Sequence, residues 1–129
     1  MKKAVICALL AALLLTSAAC AEQYYRQITQ EEAARIMDEE TGYIILDVRT
    51  EKEYGEGHIP GAINLPNEDI GEDALEALPD RDQMILVYCR SGRRSKEASE
   101  KLAALGYAQV LEFGGIMTWT GDIVTDAEG

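Results

Sequence analysis

Two uninterrupted apolar segments constrain the fold of this 129-residue chain more than any other feature. The first covers residues 43–48, with Asp47 near its end, and the second covers residues 84–89. Neither segment alternates between apolar and polar side chains, a pattern typical of strands that are buried on both faces of a sheet. Because helical patterns separate the strand candidates, we predict an α/β fold with a central, mostly parallel sheet and helices on both faces.

Capping residues and periodicity place the other elements. Thr29 and Glu32 form a capping box, so a helix is predicted to continue from there to about residue 38. The longest predicted helix covers residues 94–105 and carries apolar residues at helical spacing on one face. Shorter elements are expected as strands at 62–65 and 109–113, a helix at 72–78 and a helical turn at 116–119. Residues 55–61 are rich in Gly and Pro and are predicted to form a loop.

The first 21 residues have the three parts of a secretory signal. A basic start is followed by an apolar run at residues 4–15 and by small residues around Cys20. The apolar run is shorter than the roughly 20 residues that span a bilayer. We therefore predict a signal peptide at residues 1–19, a tether at 20–28 and one domain at 29–126, located outside the cytoplasm.

Two cleavage sites fit this segment. Cleavage before Cys20 resembles processing at a bacterial lipobox, although Ser17 stands where that motif usually has Leu, and it would leave Cys20 for lipidation. Cleavage after Ala21 would satisfy the small-x-small rule instead, and an uncleaved anchor is a third alternative. In the lipobox alternative, we expect the domain to be anchored to the membrane through a lipid on Cys20.

The cysteine count then points to one residue. Three cysteines are too few for a disulfide scaffold. Cys7 would leave with the signal and Cys20 would be lipidated or removed, so Cys89 would be the only free thiol of the domain. An unpaired thiol in an oxidising compartment is a candidate reactive group.

Cys89 stands where a predicted strand meets a predicted helix. At such a junction, the amides of the loop and of the first helical turn converge and favour negative charge. Gly92 permits the backbone to curl. The net charge of −11 argues against nucleic-acid binding, yet four cations cluster in this loop, namely Arg90, Arg93, Arg94 and Lys96. We expect Cys89 to lie open at the mouth of the loop and to react as a thiolate. The alternative is a buried structural cysteine beside a solvated basic turn.

Four segments resemble the rhodanese (thiosulfate sulfurtransferase) family in the family's order. They are Cys89-Arg90-Ser91-Gly92-Arg93-Arg94-Ser95, Leu46-Asp47-Val48-Arg49 with Glu53-Tyr54, His58-Ile59-Pro60-Gly61-Ala62-Ile63-Asn64-Leu65, and Gly114-Gly115 through Trp119. The match runs from about residue 29 to 122. It implies the rhodanese-like α/β fold and a two-step reaction. In that reaction, Cys89 takes the outer sulfur of thiosulfate or a similar donor, releases sulfite and passes the sulfur from its persulfide to cyanide or a thiol.

The resemblance also implies roles for individual residues. Cys89 is the expected catalytic residue, and Asp47 and Arg49 are expected to support the loop through charge-assisted hydrogen bonds. His58 belongs to a packed turn in the matching motif, and Trp119 is expected in the core. The loop residues expected to bind the substrate are Arg90, Ser91, Gly92, Arg93, Arg94 and Ser95.

Other functions remain as alternatives. One is a non-enzymatic persulfide carrier or docking module. Another is a phosphatase or arsenate reductase, since phosphatases of this fold resemble the pattern Cys-x5-Arg, usually with His before the Cys. Here Arg94 comes five positions after the cysteine and Tyr88 precedes it. We expect a monomer without a cofactor, a metal or a nucleic-acid partner, whose substrates are a small anionic sulfur donor and a thiol or cyanide acceptor.

Overall fold

The computed structural model describes residues 24–125. The predicted signal peptide, the cleavage sites and Cys20 lie outside the described residues. The strands are β1 (Arg26–Gln27), β2 (Ile44–Asp47), β3 (Ile63–Asn64), β4 (Met84–Cys89) and β5 (Gln109–Gly115). The helices are α1 (Gln30–Glu39), α2 (Glu51–Glu56), α3 (Ala74–Ala77) and α4 (Arg93–Ala104), with 3₁₀ turns at Asn67–Asp69 and Ile116–Thr118.

The five strands form one sheet in the order β1-β5-β4-β2-β3, and every neighbouring pair is parallel. The predicted α/β architecture is therefore confirmed. The two apolar segments become β2 and β4, which are hydrogen-bonded neighbours near the centre of the sheet. Their carboxyl ends meet at one edge, so the residues that follow each strand lie together.

Helices cover both faces of the sheet. On one face, Val87 and Val110 of the sheet join Ala98 and Leu102 of α4 in one buried cluster. On the other face, side chains of alternating strand positions pack with Ala33 of α1 in a second cluster. Because successive strand residues point to opposite faces, the continuous apolar sequence of β4 contributes to both clusters.

Two segments differ from the sequence-based predictions. Part of the predicted tether is the edge strand β1, which pairs with β5 between Arg26 and Leu111. Two exposed residues carry too little pattern to reveal a partner so far along the chain. Part of the predicted loop is α2, in which Thr50 and Glu53 form a capping box that outweighs the helix-disfavouring Gly55. Among the described residues, no helix has the length and apolar character needed to cross a membrane.

Candidate active site

Cys89 is the last residue of β4, and three residues separate it from the first residue of α4. Gly92, the last of the three, has φ +113°, a left-handed conformation that favours glycine. This conformation turns the Gly92 N–H back toward the strand, where it donates to Cys89 Sγ over 3.0 Å. The predicted cradle is therefore present, with the sulfur of Cys89 inside the turn.

The end of β5 holds this loop from the side. The pairing of β4 with β5 shifts register after Val87, and Gly115 is thereby placed opposite Cys89. A Cβ on Gly115 would lie only 2.0 Å from the carbonyl oxygen of Arg90. The same carbonyl accepts from the N–H of Met117 over 3.1 Å. Gly115 thus allows a backbone approach that any side chain would prevent.

Cys89 is less accessible than the sequence analysis predicted. The residue is 1% exposed, whereas we expected it to lie open at the mouth of the loop. The reason is that the loop closes over the sulfur, with the Gly92 amide on one side and the side chain of Ser95 on the other. Arg90 and Ser91 are exposed outside this turn. The loop therefore shields the sulfur of Cys89 from solvent.

Ser95 and Glu112 lie beneath the sulfur. Ser95 was predicted to bind the substrate, but it is fully buried in the first turns of α4. Its Oγ lies 3.3 Å from Cys89 Sγ and donates to Glu112 Oε2 over 2.5 Å. Glu112 was not among the site residues predicted from the sequence. The available signal was a charged residue two positions after Val110 in a strand. That spacing places both side chains on the same, buried face of the sheet, where a charge is unusual.

Two of the four clustered cations are neutralised by ion pairs. Arg94 donates to both carboxylate oxygens of Glu53 over 2.7 and 3.0 Å, and Arg93 pairs with Glu97 over 3.1 Å. Hydrogen bonding from Arg94 lowers the pKa of Glu53 to about 2, and the same contact raises the pKa of Arg94. Arg90 has no ion-pair partner among residues 24–125 and leaves its charge free for an anion.

A buried ionic group braces the end of β2 beside the loop. Asp47 and Arg49 form a two-pronged ion pair, with Arg49 Nη2 2.7 Å from Asp47 Oδ2. Arg49 also donates to the carbonyl of Gly57 over 2.6 Å, and Tyr88 donates to Asp47 Oδ2 over 2.7 Å. Burial lowers the pKa of Arg49, but the hydrogen bonds with Asp47 outweigh it and the net shift is upward. Burial, followed by the charge of Asp47, also raises the pKa of Tyr88.

His58 and Trp119 make packing contacts. The ring of His58 stacks on that of Tyr54 with 3.8 Å between centroids, and its Nδ1 lies 2.8 Å from the Tyr54 carbonyl oxygen. Trp119 is half-buried and packs against Phe113 at 5.6 Å between centroids. His58 therefore lies in a packed turn, as the sequence analysis expected, and Trp119 lies at the margin of the core.

An open cleft of about 620 Å³ lies next to the loop. Its lining includes Arg49, Glu53, Arg90, Met117 and Ile123. Both the cation that follows Cys89 and apolar side chains from the carboxyl-terminal segment face this space. Within residues 24–125, no group of His, Cys, Asp and Glu side chains is arranged to hold a metal ion.

The family model of the rhodanese-like domain matches residues 29–122 of this chain. The chain belongs to the rhodanese-like domain family. Thiosulfate sulfurtransferase PspE of Escherichia coli is 39% identical over 71 residues, which cover 55% of this chain and 68% of the relative. A sulfurtransferase of Allochromatium vinosum is 36% identical over 94 residues, which cover 72% of this chain and 86% of the relative.

The fold of this rhodanese-like domain is similar to that of solved structures. A rhodanese with anions from E. coli aligns with a TM-score of 0.60 at 35% identity, covering 64% of this chain and 98% of that structure. The residues of the matched region include the whole loop from Cys89 to Ser95 and both members of the Asp47–Arg49 pair. The family expected from the sequence motifs is thereby confirmed.

Proposed function

We propose that this rhodanese-like domain is a sulfurtransferase that uses Cys89 to carry a sulfane sulfur. In the first step, the thiolate of Cys89 attacks the outer sulfur of thiosulfate or a similar donor, the sulfur–sulfur bond of the donor breaks and sulfite leaves with the electron pair. In the second step, cyanide or a thiol attacks the outer sulfur of the persulfide and restores the thiolate. The contact that carries this proposal is the Gly92 N–H donating to Cys89 Sγ over 3.0 Å.

The loop supports this chemistry by placing partial positive charge around sulfur. The amides at the start of α4 lack partners within the helix, and they stabilise an anion on Cys89. A persulfide sulfur would extend the anion toward the same loop. Arg90 adds an unpaired positive charge next to this position and attracts a small anion such as thiosulfate.

The burial of Cys89 adds a condition to the first step. Because only 1% of the residue is exposed, residues 90–92 must move before the donor reaches the sulfur. The closed loop would then protect the persulfide from water and from other thiols until an acceptor arrives. The same burial favours the second candidate function, a persulfide carrier that releases its sulfur only to a docked protein partner.

Phosphate chemistry fits the loop less well. The arginine five positions after the cysteine is held by both oxygens of Glu53, so its guanidinium is not free for a phosphate.

A steady-state assay of thiocyanate formation from thiosulfate and cyanide tests the proposal, with Cys89→Ser as the control. We expect turnover by the wild-type protein and none above background by the variant. Equal background rates together with a gain of one sulfur in the mass of the wild-type protein would favour the carrier. Hydrolysis of an aryl phosphate that depends on Cys89 would favour the phosphatase. The absence of all three activities would refute the assignment of Cys89.

We also propose that the chain is exported and, when cleaved before Cys20, anchored through a lipid on that residue. The basic and apolar composition of residues 1–19 supports export. The intact mass of the mature protein tests this: a lipidated Cys20 at the amino terminus is the expected result. A start after Ala21 would indicate secretion without an anchor, and a mass that retains Met1 would contradict cleavage.

A further inference from the structure

Glu112 is a buried carboxylate that the proposed reaction does not use. It lies in β5 on the same face as Val110 and is 3% exposed. No Lys, Arg or His of residues 24–125 lies within ion-pair distance of it. A buried carboxylate without a cation depends on hydrogen bonds for its stability. Glu112 Oε2 accepts hydrogen bonds from Ser95 Oγ and from the Gly114 N–H, and both of these donors belong to the active-site region.

The hydrogen bonds run in one direction from Cys89 to Glu112. The thiol of Cys89 is placed to donate to Ser95 Oγ over 3.3 Å. Ser95 has one hydroxyl proton and three oxygens within reach: Glu112 Oε2 at 2.5 Å, Gly92 O at 2.9 Å and Gly114 O at 3.4 Å. The closest acceptor is the carboxylate, at a distance typical of a charge-assisted bond between a hydroxyl and an anion. The proton of Ser95 therefore points to Glu112.

We propose that Ser95 and Glu112 form a proton relay that takes the proton of Cys89 when the thiolate forms. The S–H proton moves to Ser95 Oγ while the hydroxyl proton of Ser95 moves to Glu112 Oε2. The product is a Cys89 thiolate, an unchanged serine and a neutral carboxylic acid, so the number of protons is conserved. The proton returns along the same path or leaves to solvent after the sulfur has been transferred. Glu112 acts through Ser95 and is thus a positioning residue, in an inference that rests on the proposed function of Cys89.

The surroundings of Glu112 make an internal proton acceptor useful. All three members of the relay are at most 3% exposed, so water has little access to the thiol while the loop is closed. Tyr25 beside β1 interacts electrostatically with Glu112, and Arg94 of α4 interacts electrostatically with Cys89. The pKa of Tyr25 is raised by burial, then by Glu100 of α4 and by Glu112.

The competing explanation is that Glu112 acts only as a structural latch. Its two hydrogen bonds connect α4 to the glycine turn that holds the loop. Glu112→Gln separates the two roles, because the amide oxygen still accepts from Ser95 and Gly114 but cannot take up a proton at neutral pH. Ser95→Ala interrupts the relay at its middle member and provides a second route if the first variant folds poorly. Glu100→Gln removes a neighbouring carboxylate without touching the relay and is the matched control.

The test is the rate of Cys89 alkylation by iodoacetamide in the full-length mature protein from about pH 5 to pH 10, followed by intact mass. This reaction needs the thiolate but no sulfur donor, so it separates failure of the relay from failure of the sulfurtransferase proposal. At pH 6 we expect Glu112→Gln and Ser95→Ala to react at least about 10-fold more slowly than the wild type. Near pH 9 and above, where an ordinary thiol loses its proton to solvent, the rates should converge. The control should follow the wild-type profile.

Three outcomes would overturn the relay. Glu112→Gln profiles that run parallel to the wild type at all pH values would identify a latch. Faster alkylation of Glu112→Gln at pH 6 would mean that the carboxylate opposes the thiolate by its charge. A wild-type alkylation rate that falls about 10-fold per pH unit below about pH 8, as for an ordinary thiol, would mean that the relay supplies no thiolate.

Discussion

Gly115→Ala is expected to damage the active-site loop while changing only one methyl group. The new Cβ would lie 2.0 Å from the oxygen and 2.3 Å from the carbonyl carbon of Arg90, and 2.5 Å from the nitrogen of Ser91. All three are backbone atoms, and real Cβ contacts are not shorter than about 3.0 Å, so the loop has to move by about 1 Å. Overpacking of this kind destabilises a protein by about 1–3 kcal/mol.

The expected effect on activity is larger than the effect on stability. A displacement of about 1 Å moves the loop that carries the Gly92 amide away from its 3.0 Å contact with Cys89 Sγ. Loss of one such donor or misplacement on this scale lowers rates about 100-fold. We therefore expect Gly115→Ala to retain a cooperative thermal transition, lowered by roughly 5–20 °C, and to lose about 99% of kcat/KM for thiosulfate.

Gly71→Ala is the matched control, because a Cβ there meets nothing within 4 Å and the backbone is not in the left-handed region. Both variants are assayed for thiocyanate formation at a temperature where they are folded. The reasoning would be refuted if Gly115→Ala kept more than about a third of wild-type kcat/KM, or if Gly71→Ala lost as much.

Three further expectations concern charge, pH and the buried hydroxyl. Arg90→Ala should lower the rate with thiosulfate more at low than at high ionic strength, because the charge of Arg90 is unpaired and is screened by salt. The control variant Arg35→Ala on α1 should change this rate little. An equal loss of rate at all salt concentrations would contradict attraction of the donor by charge. Because the pKa of Glu53 is lowered to about 2 from an ordinary 4.5, its pair with Arg94 stabilises the fold fully above about pH 5 and less as the pH falls toward 2. In urea unfolding, the free energy of unfolding of the wild type should exceed that of Glu53→Gln by about 2–3 kcal/mol less at pH 2.5 than at pH 6. Tyr88→Phe should lower the free energy of unfolding by about 1–3 kcal/mol, because a buried carboxylate and the Ile59 amide lose a partner; an unchanged urea midpoint would show that this network contributes nothing to stability.

The sequence predicted the central strands and the longest helix well for a local reason. An uninterrupted apolar run reports burial on both faces without reference to any partner, and residues 84–89 became β4 with the predicted bounds. The predicted helix at 94–105 differs from α4 by one residue at each end. The edge strand β1 could not be predicted, because its two residues acquire their conformation from pairing with β5.

The candidate site was predicted in composition but not in arrangement. The cysteine, the curled glycine and the following helix are consecutive, so their proximity is guaranteed by the chain. The cation cluster looked uniform in sequence, yet Glu53 neutralises Arg94 from 41 positions away. No local pattern distinguishes Arg94 from Arg90 in this respect.

The amino-acid sequence alone determined which thiol stands at the end of a central strand and which family the domain belongs to, because these depend on neighbouring residues and on the order of motifs. Only the tertiary structure decided that the loop closes over this thiol, that Gly115 touches the loop backbone, and that Ser95 meets Glu112 beneath the sulfur. These contacts join β4, α4 and β5, and their distances follow from strand register and helix packing. Register and packing are set by the whole core at once, so no single segment of the sequence contains them.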